Sequence, residues 1–308
     1  MMRTSFAIGA ALILAVGLAA CSQTPPPAPA AAVVAGPPPA PTLDQVKAAT
    51  VTGVLEQPVT LAGGVYEGPP AQPGAASRPT LTLWLPTVGF ANVDSAPGSE
   101  AVALLSTNSG GSGEFVYVAV FGIQDGKAVS LATAPVGDRV KLHKLWVEQG
   151  HIRMDVIEAG PKDPACCPTQ LARKSFAIQG GALKQESSDV VGSLSVNLLS
   201  ATDWMLAEMD GQPLGRTGHP PTLLVQYDKV VGFGGCNRYT GALKETSPGK
   251  ITVGPLASTR KACPAAEMDL EDKFISRMNK VTSYTFLAGQ LALTWGDKQG
   301  GGQLVFSK

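Results

Sequence analysis

The sequence predicts a mainly β protein, built as an N-terminal antiparallel β domain followed by a smaller β-rich domain with one α-helix. Three observations predict it. Short runs that alternate apolar and polar residues recur between 80 and 158, with turn pairs such as Asp125-Gly126 and Gln149-Gly150 between them. A single segment, 265–280, carries a 3.6-residue apolar period. Three more strand signals, SYTFLA, QLALTW and QLVFSK, follow it to the end of the chain. The length, 308 residues, suits about two domains once non-globular stretches are set aside. Lys and Arg total 24 against 24 Asp and Glu, so the chain has neither the basic footprint of a nucleic-acid binder nor an acidic tail.

The first 20 residues read as a leader. Arg3 supplies a positive start, and FAIGAALILAVGLAA (6–20) is an uncharged apolar run, short for a membrane span of about 20 residues and suited to a signal h-region. It closes on Leu18-Ala19-Ala20-Cys21. A signal peptidase pocket admits small residues before the cleavage point, and LAAC resembles the bacterial lipobox, which implies acylation at Cys21. An ordinary secretory leader with a cysteine nearby is the alternative. The resemblance also implies, through Ser22 in place of aspartate, sorting to the periplasmic face of the outer membrane. Residues 21–43 form a Pro/Ala-rich tether, SQTPPPAPAAAVVAGPPPAPT at its heart, which cannot bury a core and favours polyproline II.

The first β-rich domain is placed at 44–188. TLTLWL (80–85), AVALLS (101–106), FVYVAVFGI (115–123), VSLATA (129–134), VKLHKLWVE (140–148) and HIRMDVIE (151–158) are its strands. NSGGSG (108–113) lacks the lysine and following helix of a phosphate loop and reads as a hairpin connection. Asp94, Ser95 and Glu100 are too few and too loosely spaced for a calcium loop. In DPACCPTQ (163–170) the Cα atoms of Cys166 and Cys167 lie about 3.8 Å apart across a trans peptide, too close for a relaxed bridge. A redox pair and a loop staple are the two readings. With NSGGSGEFVYVAV and GDRVKL (137–142), this segment resembles the bacterial envelope lipoproteins that carry a DPxCCP signature, the LppP/LprE type. That resemblance implies an envelope location and no particular activity.

The second domain is placed at 194–308. WMLAEM (204–209) with Asp210-Gly211 reads as a strand and turn, and TLLVQY, Asp228-Lys229 and VVGF as a hairpin. On the helix, Leu270, Phe274, Met278 and Val281 share one face, Glu267, Asp269, Asp272 and Lys273 surround it, and Pro264 opens it. Ala288-Gly289 and the 300–302 glycine run are the last two turns. GFGGCNRYTG (232–241) departs from GxGxxG at Arg238 and has no Lys-Ser/Thr ending, so no phosphate loop is implied. A cysteine nucleophile needs a base, and His143, His151 and His219 stand in no recognisable setting for one. Of five cysteines Cys21 is taken by lipid, leaving four; the pairing that respects the two domains joins Cys236 to Cys263. The glycine motif is then a structural corner.

Trp204, Asp210-Gly211, GFGGCNRYTG, LASTRKAC (256–263), the helix with Glu267 and Phe274, Tyr284 and LALTW together resemble the META domain of the HslJ heat-shock proteins. The resemblance implies a small β-rich fold with one helix closing an open barrel. It also implies envelope or stress-related roles, tolerance of some antibiotics among them, with no catalytic residues. Asn237, Arg238, Thr259 and Arg260 match its pattern as a candidate polar patch, read as a hydrogen-bonded network with an Arg–carboxylate pair or as a ligand site. The expectation is a non-enzymatic, lipid-anchored envelope protein without cofactor or metal. Its expected partners are the membrane and an envelope protein or cell-wall component, with no nucleic acid. The alternative is a periplasmic redox or cysteine-dependent enzyme using Cys166/Cys167 or Cys236.

Overall fold

A computed structural model describes residues 39–308, apart from 71–73, 75–76, 95, 112, 165, 201 and 216–217. The leader, Cys21, Ser22 and most of the Pro/Ala run lie outside the described residues, as does Ser95. Residues 37–308 form one unit. It opens with a helix that the periodicity does not announce, α1 (Leu43–Lys47). Thr42 Oγ1 accepts from Gln45 N at 3.2 Å while Gln45 Oε1 accepts from Thr42 N at 2.8 Å, a capping box that starts the helix at Leu43.

The first sheet holds β1 (Thr50–Val51), β2 (Val59–Thr60), β3 (Val65–Glu67), β4 (Thr80–Leu83), β5 (Gly89–Ala91), β6 (Glu100–Asn108), β7 (Phe115–Gln124) and β8 (Lys127–Asp138). Its order is β2-β1-β8-β7-β6-β4-β3, with β5 on β6, and every pairing is antiparallel except β1 with β8. TLTLWL stops being a strand at Leu83 because Pro86 sits in a 3₁₀ turn, Leu85–Thr87.

A second sheet follows: β9 (Lys141–Glu148), β10 (His151–Glu158), β11 (Gln170–Gln179) and β12 (Ala182–Ser193), in the order β12-β11-β10-β9. The strand β6 is buried along nearly its whole length, which accounts for the unbroken apolar run AVALL. Ala101, Ala103 and Leu105 face Val46 of α1 and Leu81, while Val102 and Leu104 face Ile152, Met154 and Phe176 of the second sheet. Asp125-Gly126 and Gln149-Gly150 occupy their hairpin turns with φ of 50° and 75°, and 52° and 77°, the left-handed pair such turns require.

The remaining strands are β13 (Trp204–Met209), β14 (Gln212–Pro213), β15 (Thr222–Gln226), β16 (Lys229–Phe233), β17 (Arg238–Ser247), β18 (Lys250–Val253), β19 (Ala257–Ser258), β20 (Val281–Leu287), β21 (Gln290–Asp297) and β22 (Gly300–Ser307). They run β14-β13-β15-β16-β17-β18-β20-β21-β22, and β22 also pairs with β13, so the sheet closes on itself as a barrel. Its thinnest link is β18–β20, a single registered pair, Lys250 with Ser283. Helix α2 (Ala265–Met278) lays fully buried Phe274 and Met278 into this barrel, where Phe274 meets the rings of Tyr239 and Phe306 at 5.6 and 6.4 Å. Ile157 and Leu171 of the second sheet join the same core.

Two turns fall elsewhere than the residue types suggest. The β15–β16 hairpin turns at Tyr227-Asp228, with Tyr227 at φ 55°, one residue before Asp228-Lys229. The last turn is Lys298-Gln299, and the 300–302 glycines belong to β22. The reason is packing: a Cβ on Gly302 would overlap Asp210 Oδ1, and one on Gly301 would come within 2.8 Å of the Trp295 carbonyl.

Candidate functional site

GFGGCNRYTG spans the end of β16, a four-residue corner and the start of β17. The corner is tied from both sides. Cys236 is bridged to Cys263, with Cα atoms 5.9 Å apart, the pairing that respects the two domains. From α2, Glu271 turns its carboxylate inward: Oε2 accepts from Cys236 N at 3.0 Å and from Asn237 N, and Oε1 accepts from Asn237 Nδ2 at 2.9 Å. Gly235 stands at φ 125°, and a side chain on Gly234 would come within 2.9 Å of the same carboxylate.

Asn237 spends both ends of its amide inside the protein. Nδ2 also donates to Lys261 O at 3.2 Å, while Oδ1 accepts from Thr259 Oγ1 at 2.8 Å and Lys261 N at 2.7 Å. Thr259 Oγ1 in turn accepts from Arg238 N at 3.3 Å. The structure thus brings together Asn237, Thr259 and the Arg238 backbone. The Arg238 and Arg260 side chains are exposed, and among the described residues neither forms an ion pair. The carboxylate of this network, Glu271, meets amides where an arginine was expected. Glu271 escaped the sequence reading because it flanks the apolar stripe of α2 and looks like one more solvated acid.

At the last turn of α2, Asp210 of the β13–β14 turn accepts from Trp295 Nε1 at 2.7 Å and from Arg277 Nε, and the Arg277 guanidinium lies 5.3 Å from the Trp295 ring centre. This cluster ties helix, turn and barrel wall. Tyr284 Oη donates to Glu245 Oε1 at 2.9 Å.

The cysteines of the other loop, Cys166 and Cys167, are exposed and free. Asp163 clamps that loop, accepting from Gly160 N at 2.9 Å, Thr169 N at 2.6 Å and Thr169 Oγ1 at 2.9 Å; the two backbone donors hold its carboxyl below the usual range. The hydrogen bond with Cys166 pushes the Cys167 thiol up, away from the thiolate form. Both cysteines line a cleft of about 180 Å³ that also touches Lys141, Lys250 and Tyr284.

The histidines are spread apart. His143 Nε2 donates to Leu198 O at 3.2 Å while its buried Nδ1 has no partner among the described residues, His151 pairs with Glu186 at 3.3 Å, and His219 meets the Phe233 ring edge-on. Glu100 is buried, accepting from Val93 N at 2.8 Å, and Asp94 Oδ1 caps Ala96 N. Among the described residues no group of three or more His, Cys, Asp or Glu is placed to hold a metal ion, and no helix is long and apolar enough to cross a membrane.

A cavity of about 710 Å³ lies away from the corner, between β5 and β9, with the β20–β21 turn and Lys308 at its end. Sequence reasoning missed it because it lies between the edges of strands that belong to two different sheets, β5 and β9.

No curated protein matches the chain. A solved NMR structure is 26% identical, with a TM-score of 0.31, covering 37% of this chain and 93% of its own. A second, a protein from Burkholderia xenovorans, is 24% identical, with a TM-score of 0.30, covering 40% and 96%. The C-terminal barrel, residues 197–308, matches the family model of the META domain.

Proposed function

We propose that the chain is a lipid-anchored protein of the bacterial cell envelope, held at the periplasmic face of the outer membrane, whose folded part is a non-enzymatic module that binds an envelope protein or cell-wall component. The observation that carries this reading is the Cys236–Cys263 bridge, because such bridges persist in oxidising compartments. It agrees with the leader and LAAC ending at Cys21, and with the HslJ-like and LppP/LprE-like motifs read above. The corner adds support: the polar groups of Glu271 and Asn237 are turned on one another and on the backbone, as in a brace.

The test is metabolic labelling with a tagged fatty acid, followed by membrane fractionation of the wild type and Cys21→Ser. Label and membrane retention in the wild type, lost together in the variant, support the anchor; label in neither, with the chain in the soluble fraction, overturns it. Retention of a component from envelope extract on the immobilised chain, persisting across salt concentrations, supports the binding role.

A second reading, a redox or cysteine-dependent enzyme, rests on the free, exposed Cys166 and Cys167, since Cys236 is already bridged. Turnover of a chromogenic disulfide that vanishes in Cys166→Ser would favour it.

A further inference from the structure

We propose that the seam between the two N-terminal sheets is a strand-addition site, taking an extended acidic polypeptide segment along the free edge of β9. The inference rests on the binding reading above and names the partner's chemistry.

Among the described strands β9 pairs only with β10, and β5 pairs only with β6. Their outer edges therefore carry unpaired backbone N–H and C=O groups, the usual template for an added strand. Both edges line the cavity of about 710 Å³. The direction of the free groups on β9 follows from its hairpin. The two-residue Gln149-Gly150 turn makes Glu148 and His151 a hydrogen-bonded pair, and Trp146/Arg153 and Lys144/Asp155 repeat it two and four residues on. Leu145 and Val147 are the alternate residues, so their backbone groups point to the free edge. Their side chains pack on the core shared by the two sheets. The register breaks at His143, and there Lys308 Nζ donates to the His143 carbonyl at 3.0 Å, ending the open stretch.

What remains is 144–147, about 13 Å of edge at ~3.3 Å per residue. Buried Val102 lines the groove, and half-exposed Phe90 stands at its rim. Such walls suit a segment with apolar side chains on one face. The other face is chosen by charge: Lys144 and Lys308 line the groove, and among the described residues no Asp or Glu side chain does. Burial, with Lys144 adding repulsion, already holds the Lys308 ammonium below its ordinary pKa, a cost that a carboxylate alongside relieves. Edge strands are normally blunted by proline, bulges or a covering loop; between 144 and 148 this one has only Lys144, whose ammonium leans over the Trp146 ring at 5.0 Å.

The probe is a fluorescent heptapeptide alternating glutamate and valine, titrated by anisotropy against the full chain in detergent. Three twins accompany it: lysine for glutamate, scrambled order, and alternate backbone N-methylation with unchanged side chains. Expected are saturable binding, at least tenfold weaker binding of all three twins, and a further tenfold loss in Lys144→Glu, which touches only the surface. Leu145→Pro, checked for an unchanged circular dichroism spectrum and melting, removes one outward donor and is expected to lose binding; if it unfolds, the N-methylated twin decides. Equal binding of the N-methylated and parent peptides overturns the proposal, as does absence of binding. Concentration-dependent dimers lost in Lys144→Glu would give the edge to a second copy. Binding of phosphatidylglycerol vesicles without peptide binding would give it to a lipid surface. Either result also overturns the proposal, and none of these results bears on fatty-acid labelling at Cys21.

Discussion

Replacing Glu271 by alanine should cost about 3–5 kcal/mol, although it is a charged residue on a helix that the sequence presents as solvated. The backbone N–H groups of Cys236 and Asn237 lose the one acceptor they have among the described residues, and these residues are 5% and 7% exposed. Each buried orphaned donor costs about 1–3 kcal/mol, and the Asn237 amide loses one of its bonds as well. Glutamine is a sharper probe. Its amide oxygen can still accept from the two backbone donors, but its NH₂ then confronts Asn237 Nδ2, donor against donor. Turning the Asn237 amide would break its bonds to Thr259 and Lys261, so Glu271→Gln should lose about 1–2 kcal/mol. Asp272→Ala, on the same helix and exposed, should change stability by less than about 0.5 kcal/mol. Urea unfolding of the oxidised chain, followed by tryptophan fluorescence, reads all three. Glu271→Ala unfolding together with Asp272→Ala would refute the brace.

Other outcomes follow from the same contacts. Cys236→Ser with Cys263→Ser opens a loop of sequence separation 27 and should lower stability by about 3–4 kcal/mol, read as a urea midpoint that no longer responds to reductant. Gly302→Ala pushes against Asp210 and should cost about 1–3 kcal/mol, while Gly180→Ala, with open space around it but φ 62°, tests backbone strain alone. The half-buried His143 is held below its ordinary pKa by burial first and Lys308 second, with the hydrogen bond to the Leu198 carbonyl and then Asp155 opposing. Its unfolded form therefore takes up a proton first, near pH 6.5, so stability is full above about pH 7 and falls as pH drops from there toward the folded pKa. Thermal melts from pH 7.5 to 5 should show a slope in the wild type that is reduced in His143→Gln.

Regular strands were legible because alternation and paired positive-φ turns are local properties: HIRMDVIE and FVYVAVFGI become strands almost residue for residue. The exceptions share a cause in tertiary contact. Tyr227 turns where Asp228 was favoured, because the register of β16 on β17 carries the chain into the corner. The 300–302 glycines look like a turn and serve instead as a flat wall beside Trp295. Helix α1 was hidden by its brevity, though Thr42 and Gln45 spelled its capping box. In the corner, the cysteine pairing followed from counting sulfurs. Glu271 did not, because nothing within α2 marks which acid faces inward. The seam was invisible altogether, since an unpaired edge is a relation between sheets that no stretch of sequence carries.

Mass spectrometry of the native chain, alkylated under non-reducing conditions and digested, puts the most direct question to this account. It predicts an N-terminal peptide beginning at Cys21 and carrying lipid, a cross-linked pair joining Cys236 to Cys263, and alkylated Cys166 and Cys167. An intact, unlipidated N-terminus together with alkylated Cys236 and Cys263 would contradict it.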